Sequence, residues 1–419
     1  MTPAKSTISV SDVRGASRLA IAGVTGVVDL VEAMHRNIAR VPGLRYASEG
    51  ARTTGVTRLV YRGIHGVVGA VGSSLDAILA GLAPVLGDRI AWRGREPLLA
   101  ALNGVLGDYL AATNNPLAIP LALRRDGATL PDDAAGMAAM LPEASGKIVV
   151  LIHGLCMTDL QAHGRGRDHG TRLARDLGHT SVYARYNSGR HISVNGRELA
   201  NALEQMVSSW PVRVTELVLI GHSMGGLVAR SACHYGDIAG HAWRRRLTRL
   251  VFLGTPHHGA PLERGGNWVD VVLGLSRYSA PLARLGQIRS AGITDLRFGN
   301  LVDEDWSTRD RFALSGDRRV ILPLPADIAC YTIAATAGAA PRDARHVLGD
   351  GIVPLSSALG RHTDPRRTLA FTASRQYVAR ATHHLELLQR PDVYAQIRNW
   401  LAEPQRVRRA PRKRGVGTR

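Results

Sequence analysis

Cysteine is scarce in this chain: Cys156, Cys233 and Cys330 are the only three in 419 residues. An odd, widely spaced set excludes a disulfide framework and a cysteine metal cluster. Lysine is equally scarce, since Lys5, Lys147 and Lys413 are the only lysines among 53 basic residues. So strong an arginine bias reflects coding composition before function. Aromatic residues make up 5% of the chain. No stretch reaches the ~18 unbroken apolar residues of a membrane span. A clear signal peptide is also missing. Lys5, Arg14 and Arg18 precede an apolar stretch, but Asp29 and Glu32 interrupt it and no small-x-small cleavage site follows. The expected location is cytoplasmic, with peripheral membrane contact as its one extension. Neither His-x-x-His nor carboxylate-rich spacing occurs, so no metal and no cofactor are expected.

What is present suits a globular enzyme. Hydrophobic residues are 45% and charged residues 21%, ordinary values, while the net charge of +19 is high. Seven of the basic residues fall in 404–419, a segment without acids. It reads as a disordered basic tail, solvated or weakly attracted to an anionic membrane, with no specific nucleic-acid partner. The oligomeric state is not legible.

Three regions separate by pattern. Residues 1–115 form an N-terminal helical accessory region, with apolar residues at mixed three and four spacing over 19–39, 57–86 and 96–112. The second segment is apolar nearly all round, which suits burial against other helices or a membrane surface. Residues 116–403 carry a different rhythm, and 404–419 are the tail. A short hairpin is expected over 117–124 and 129–130, turned at Asp126-Gly127, then a linker over 131–146. Strands are predicted at 147–153, 181–186, 216–221, 250–254, 328–336 and 367–372. Helices are predicted at 170–177, 195–209, 224–235 and 385–401. Apolar runs divided by helical stretches give an α/β class: a mostly parallel sheet with helices on both faces. The stretch 260–325 interrupts this rhythm.

The run Leu217-Val218-Leu219-Ile220-Gly221-His222-Ser223-Met224-Gly225-Gly226 is the most informative in the chain. A buried strand ends in Gly-x-Ser-x-Gly, and a helix-compatible segment follows. The turn is so tight that glycine is needed two residues to either side of the serine, and it lifts the hydroxyl toward a cleft. Serine is a poor nucleophile without a base, so a histidine and a carboxylate must be found. His384 is the candidate base, in Thr382-His383-His384-Leu385, and is preferred over His383 because it directly precedes the Leu-x-Leu-Leu helix start. Asp350, in Gly349-Asp350-Gly351, is the candidate carboxylate, with Asp343 as fallback; Gly-Asp-Gly also suits a plain turn. The order Ser223, Asp350, His384 is the one expected of this sheet. Two N–H donors should face the developing oxyanion: Met224, just after the nucleophile, and Leu155, in the loop after the first long strand. His153, His222, His257 and His258 read as loop or supporting residues.

These residues resemble the α/β-hydrolase superfamily and, within it, the bacterial lipases and esterases. The likeness rests on His153-Gly154, on Gly221 to Gly226, on Gly254-Thr255-Pro256-His257-His258-Gly259, on Gly349 to Pro354, and on His384-Leu385. The Gly-Thr-Pro-His element is also similar to that of glycosyl-phosphatidylinositol deacylases. The resemblance covers 147–401. It implies the α/β-hydrolase fold and hydrolysis of carboxylic esters, of lipid or other hydrophobic acyl type, through an acyl-enzyme and without cofactor. The calcium of some bacterial lipases has no matching acidic pair here. The insert 260–325 falls where such enzymes carry a cap or lid, and Trp268 and Leu273, with Leu275, Leu282 and Leu285, would then line the acyl site; a simply packed insertion fits equally. The same triad would serve a thioesterase, an acyltransferase or an intracellular polyester depolymerase. A non-catalytic scaffold is disfavoured by the complete set of candidate residues.

Overall fold

A computed structural model describes residues 11–22, 25, 62, 73, 95–162, 168–260, 290–308, 317–338 and 349–403. Eight strands form one sheet in the order β2-β1-β4-β3-β5-β6-β7-β8. The strands are β1 (Ala122–Arg125), β2 (Ala128–Thr129), β3 (Lys147–Ile152), β4 (Thr180–Arg185), β5 (Glu216–His222), β6 (Leu247–Leu253), β7 (Ala329–Thr336) and β8 (Gln376–Arg380). β1 runs antiparallel to β2 and β4, and all pairs from β4 to β8 are parallel. The expected α/β architecture is the observed one.

The reason lies in the strand sequences. Ile148, Val150 and Ile152 of β3 enter one hydrophobic cluster, and Val149 and Leu151 enter another on the opposite face. Leu217 and Leu219 of β5 divide from Val218 and Ile220 in the same way. A strand buried on both faces needs an unbroken apolar run, because the side-chain period is two. The helices that cover those faces follow. Among them are α1 (Arg95–Ala112), α2 (His169–Leu177), α3 (Ile192–Ser208), α4 (Met224–Ile238) and α5 (Pro391–Ala402). Leu199 and Leu203 of α3 and Leu227 and Val228 of α4 join the first cluster; Val393 and Ile397 of α5 join the second.

Several expected elements differ. Residues 367–372 are not a strand. Leu369 and Phe371 instead plug the core of the first cluster, and the edge strand is β8, beginning at Gln376. An edge strand needs little apolar content, and that of β8 is half-buried for most of its length. The closing helix expected over 385–401 is two pieces, a 3-10 turn His384–Leu388 and then α5. Pro391 lacks an N–H and favours the first position of a new helix, which fixes the break. The linker 131–146 holds a short helix, Ala134–Met140, whose Asp133 side chain accepts from the Gly136 N–H. The hairpin is present but shorter, as β1 and β2.

α1 is docked on the sheet domain through glycines. A Cβ at Gly104 would lie 2.2 Å from Cys156 Sγ, and one at Gly107 would lie 1.8 Å from Asn187 Oδ1. Asn187 donates to the Gly107 carbonyl at 2.8 Å, and Ser290 Oγ donates to the Gly104 carbonyl at 2.6 Å. Arg185, at the end of β4, donates to Glu96 at 2.8 Å.

The β5–α4 turn is the tightest backbone approach next to the nucleophile. A Cβ at Gly225 would lie 2.2 Å from the Ile152 carbonyl oxygen and 2.5 Å from that of His153. Those atoms belong to the end of β3, which the parallel ladder holds on both sides. Gly225→Ala is therefore expected to destabilise the fold by about 1–3 kcal/mol, as overpacking does. A denaturant midpoint unchanged from the parent would contradict this packing.

Candidate active site

The parallel strands all point their C-terminal ends at one edge, where loops gather in an α/β sheet. β3 leads to His153-Gly154-Leu155, β5 to Ser223, β6 to the 254–259 loop, and β8 to Thr382-His383-His384. Ser223 sits between β5 and α4 with φ 53° and ψ −125°. A left-handed φ is costly for a residue with a Cβ, and such strain concentrates where a side chain must be aimed. Here the strand above and the helix below over-determine it, and the Ser223 N–H donates to the Leu253 carbonyl at 2.8 Å.

Asp350 and His384 meet. His384 Nδ1 and Asp350 Oδ2 are 2.6 Å apart, and both residues are buried. Asp350 Oδ1 accepts from the N–H groups of Val353 at 2.8 Å and Ile352 at 3.0 Å. Burial alone would push the Asp350 carboxyl up. The charge and hydrogen bond of His384, with the two amides, outweigh it and hold the carboxyl below its ordinary value. An ionised Asp350 accepts the Nδ1 proton, which leaves His384 Nε2 as the ring's basic atom.

Ser223 and His384 line one cleft of about 380 Å³. His222 lines it too, and the rest of its wall is apolar, with Leu155, Met157, Leu296, Ile352 and Val353 prominent. His383, the neighbour, is exposed, and its N–H is taken by Glu386 Oε2 at 2.7 Å. Asp343 lies outside the described residues. So do Trp268, Leu273, Leu275, Leu282 and Leu285, and the basic tail; among the described residues of the insert, Leu296 lines the cleft.

Of the two candidate oxyanion donors, Leu155 lines this cleft and Met224 follows Ser223 directly. Met224 opens α4, so its N–H has no acceptor in the preceding turn. Gly154 lies against the nucleophile: a Cβ there would sit 3.1 Å from Ser223 Cβ. Leu155 follows it, and the next amide, Cys156, donates to Ser188 Oγ at 3.1 Å from a backbone with φ 57°. The loop is held from below as well. The Tyr186 hydroxyl donates to the His153 carbonyl at 2.7 Å, and the two rings stack at 4.3 Å.

Sequence reasoning missed this support. The 187–189 loop and Gly104 of α1 brace the Leu155 loop, yet each contact spans dozens of residues and has no local pattern. His222, read from the sequence as a loop or supporting residue, packs against the base. Its ring lies 4.7 Å from that of His384, and its Nε2 is 3.2 Å from the His384 carbonyl oxygen. As the neutral ring it donates there and fixes the backbone of the base. Among the described residues no cluster of His, Cys, Asp or Glu suited to a metal is found.

Residues 143–334 match the PGAP1-like alpha/beta domain family. No curated protein matches the chain. Solved structures of similar fold include the mature lipase BlEst2 of Bacillus licheniformis, at 18% identity and TM-score 0.38 over 61% of this chain and 91% of that one. Aspergillus fumigatus lipase B matches at 13% identity and TM-score 0.39, over 65% of this chain and 54% of that one. Phospholipase PlaB of Legionella pneumophila matches at 16% identity and TM-score 0.31, over 51% and 44%. The chain thus spans about half the length of the last two. The matched segment and the strand order above agree on an α/β fold, a mostly parallel sheet between helices.

Buried neutral histidines set the acid response of this edge. Burial lowers the His153 ring to about 4 and, with help from Arg319, the His258 ring to about 4; burial and the nearby His384 take His222 to about 3. In the unfolded chain each titrates near ~6.5. Between those values the unfolded state binds protons that the folded state refuses, so stability falls as pH falls. The melting temperature is expected to change little from these rings above pH ~6.5 and to drop by about 5 °C or more between there and pH ~4. A melting temperature flat across that window would show the rings are not buried as neutral groups.

Proposed function

We propose that this chain is a serine hydrolase that cleaves carboxylic esters with a hydrophobic acyl group. One observation carries the reading. A buried Asp350–His384 hydrogen bond of 2.6 Å ends at the same cleft as a serine held in a strained strand-to-helix turn. The match to the PGAP1-like alpha/beta domain family supports it independently.

The steps follow from the geometry. Ser223 Oγ attacks the ester carbonyl carbon while His384 Nε2 takes its proton. Asp350 holds the ring with Nδ1–H directed at itself and stabilises the imidazolium that forms. Negative charge gathers on the former carbonyl oxygen, and the N–H groups of Met224 and Leu155 are its donors, each worth about 3 kcal/mol in the transition state. The intermediate collapses, the alcohol leaves with the proton from His384, and an acyl group remains on Ser223. Water then repeats the cycle with His384 as base, releasing the carboxylic acid and freeing Ser223. No cofactor takes part in these steps.

The apolar wall supports the choice of substrate. Each buried methylene contributes about 0.8 kcal/mol, or about fourfold in kcat/KM, until the cleft is full. A series of p-nitrophenyl esters should therefore rise in kcat/KM from acetate through hexanoate. A flat or falling series would remove the hydrophobic acyl site.

A fluorophosphonate probe is expected to label the parent and to spare Ser223→Ala. Asp350→Ala and His384→Ala should each lower kcat by about 10⁴-fold with KM little changed. Full turnover in His384→Ala alongside a dead His383→Ala would reassign the base to the neighbour.

A further inference from the structure

A second cleft lies across the 254–259 loop from the ester cleft. Pro256 lines the first cleft, while His257 and His258 line the second. The 296–301 segment divides likewise, with Leu296 on the first and Gly299 and Leu301 on the second. The second cleft is open to solvent and spans about 620 Å³. Its wall carries Arg230, Arg319, Arg366 and Arg367 with those two histidines, against one carboxylate, Asp305.

Most of this charge is compensated. Asp317 pairs with Arg319 at 2.8 Å and lies 3.7 Å from Arg367, and Asp364 pairs with Arg366 at 2.9 Å. Arg230 is different. It is 4% exposed and sits on α4, seven residues after the nucleophile. Its Nη2 donates to the Leu322 carbonyl at 2.5 Å, and its Nη1 reaches only the neutral ring of His257 at 3.4 Å. Among the described residues its buried Nε has no hydrogen-bond partner, and neither has His257 Nε2. Asp305 is the nearest acid in the wall, but its oxygens accept from the N–H groups of Leu301 at 2.8 Å, Val302 at 3.2 Å and Val320 at 2.8 Å. Burial, and then the repulsion of Arg319, lower the Arg230 guanidinium to about 10, so it stays charged at neutral pH.

A buried cation whose hydrogen bonds, among the described residues, go only to neutral groups is costly, and Asp305 offsets only part of the desolvation. An anion in the cleft beside it would repay that cost. Guanidinium groups suit phosphate oxygens in particular, by their planar fork of donors and weak hydration.

We propose that this second cleft binds a phosphate-class anion, with Arg230 as its inner cation and Arg366 and Arg367 at its rim. Such an anion is either the headgroup of a lipid whose ester occupies the neighbouring cleft or free phosphate. The lipid source rests on the ester-hydrolase reading; the anion site does not.

The test uses the full chain carrying Ser223→Ala, so that no turnover intervenes. Calorimetric titration with inorganic phosphate is compared with dihexanoyl phosphatidic acid and with uncharged dihexanoylglycerol, both as monomers. Phosphate should bind, and Arg230→Met should weaken it by at least about tenfold. Arg366→Gln, at an exposed position, should weaken it about threefold and flatten its salt dependence. Phosphatidic acid binding tighter than both phosphate and dihexanoylglycerol assigns the headgroup source; phosphatidic acid no tighter than phosphate assigns free phosphate. A folded protein that binds no phosphate, or one whose binding survives both substitutions, overturns the site. Phosphate binding that persists in a parent chain without esterase activity would sink the ester reading alone.

Discussion

The contact between the start of α4 and the end of β3 constrains everything at this edge of the sheet. Gly225 brings the helix so close to the Ile152 and His153 carbonyls that no Cβ could fit between them. Two consequences follow from one contact. The helix must leave β5 abruptly, which forces Ser223 into the left-handed region and aims its side chain out of the sheet. The same contact fixes where β3 ends, so the Gly154-Leu155 loop begins beside the serine. Nucleophile and candidate oxyanion donors are therefore positioned together, and neither can shift without the other.

The base is fixed by a different kind of force. Asp350 and His384 come from separate loops, after β7 and β8, and are buried together. Burial works against the charged carboxylate, and two backbone amides with the imidazole reverse it. The surrounding histidines, His153 and His222, do not share that charge, because burial disfavours the cation at each, and at His222 the repulsion of His384 adds to it and outweighs what Asp350 contributes. They serve as neutral hydrogen-bonding rings. Of these three imidazoles, His384 is the one hydrogen-bonded to a carboxylate, Asp350.

What could be read from the sequence divides by the range of the interaction. The central strands β3, β5 and β6 announce themselves because burial on both faces demands an apolar run within a single segment. The serine turn is legible for the same reason: its glycines and its strand are contiguous. Asp350 and His384 were reachable through motif context and chain order. β8 was not, because an edge strand of Gln376-Tyr377-Val378-Ala379-Arg380 has weak patterning, while Leu369 and Phe371 imitate a strand and instead fill a core cavity. The docking of α1 was invisible too. Gly104 and Gly107 look like helix-weakening residues until Cys156 and Asn187 are seen pressed against them. In the sequence such glycines give no hint of the partner that requires them.

The 254–259 loop shows how one short segment can divide two chemistries. Gly254 and Gly259 both adopt positive φ, 57° and 76°, so the loop reverses tightly at each end. A Cβ at Gly254 would lie 3.1 Å from the His384 ring, and one at Gly259 would lie 2.2 Å from the Arg297 carbonyl oxygen. The loop is therefore packed from both sides, and its alternate residues face different spaces. Pro256 turns toward an apolar cleft and His258 toward a cationic one. An apolar wall accepts an acyl chain because it has nothing polar to desolvate. In the proposed anion site only Arg230 is both desolvated and bonded to a neutral carbonyl, so it is the group that would gain from an anion. A ligand that carries both groups could meet each wall, since the two clefts share no lining residue. The α4 helix ties these spaces together: its first residue borders the serine, and its Arg230 reaches the second cleft two turns later.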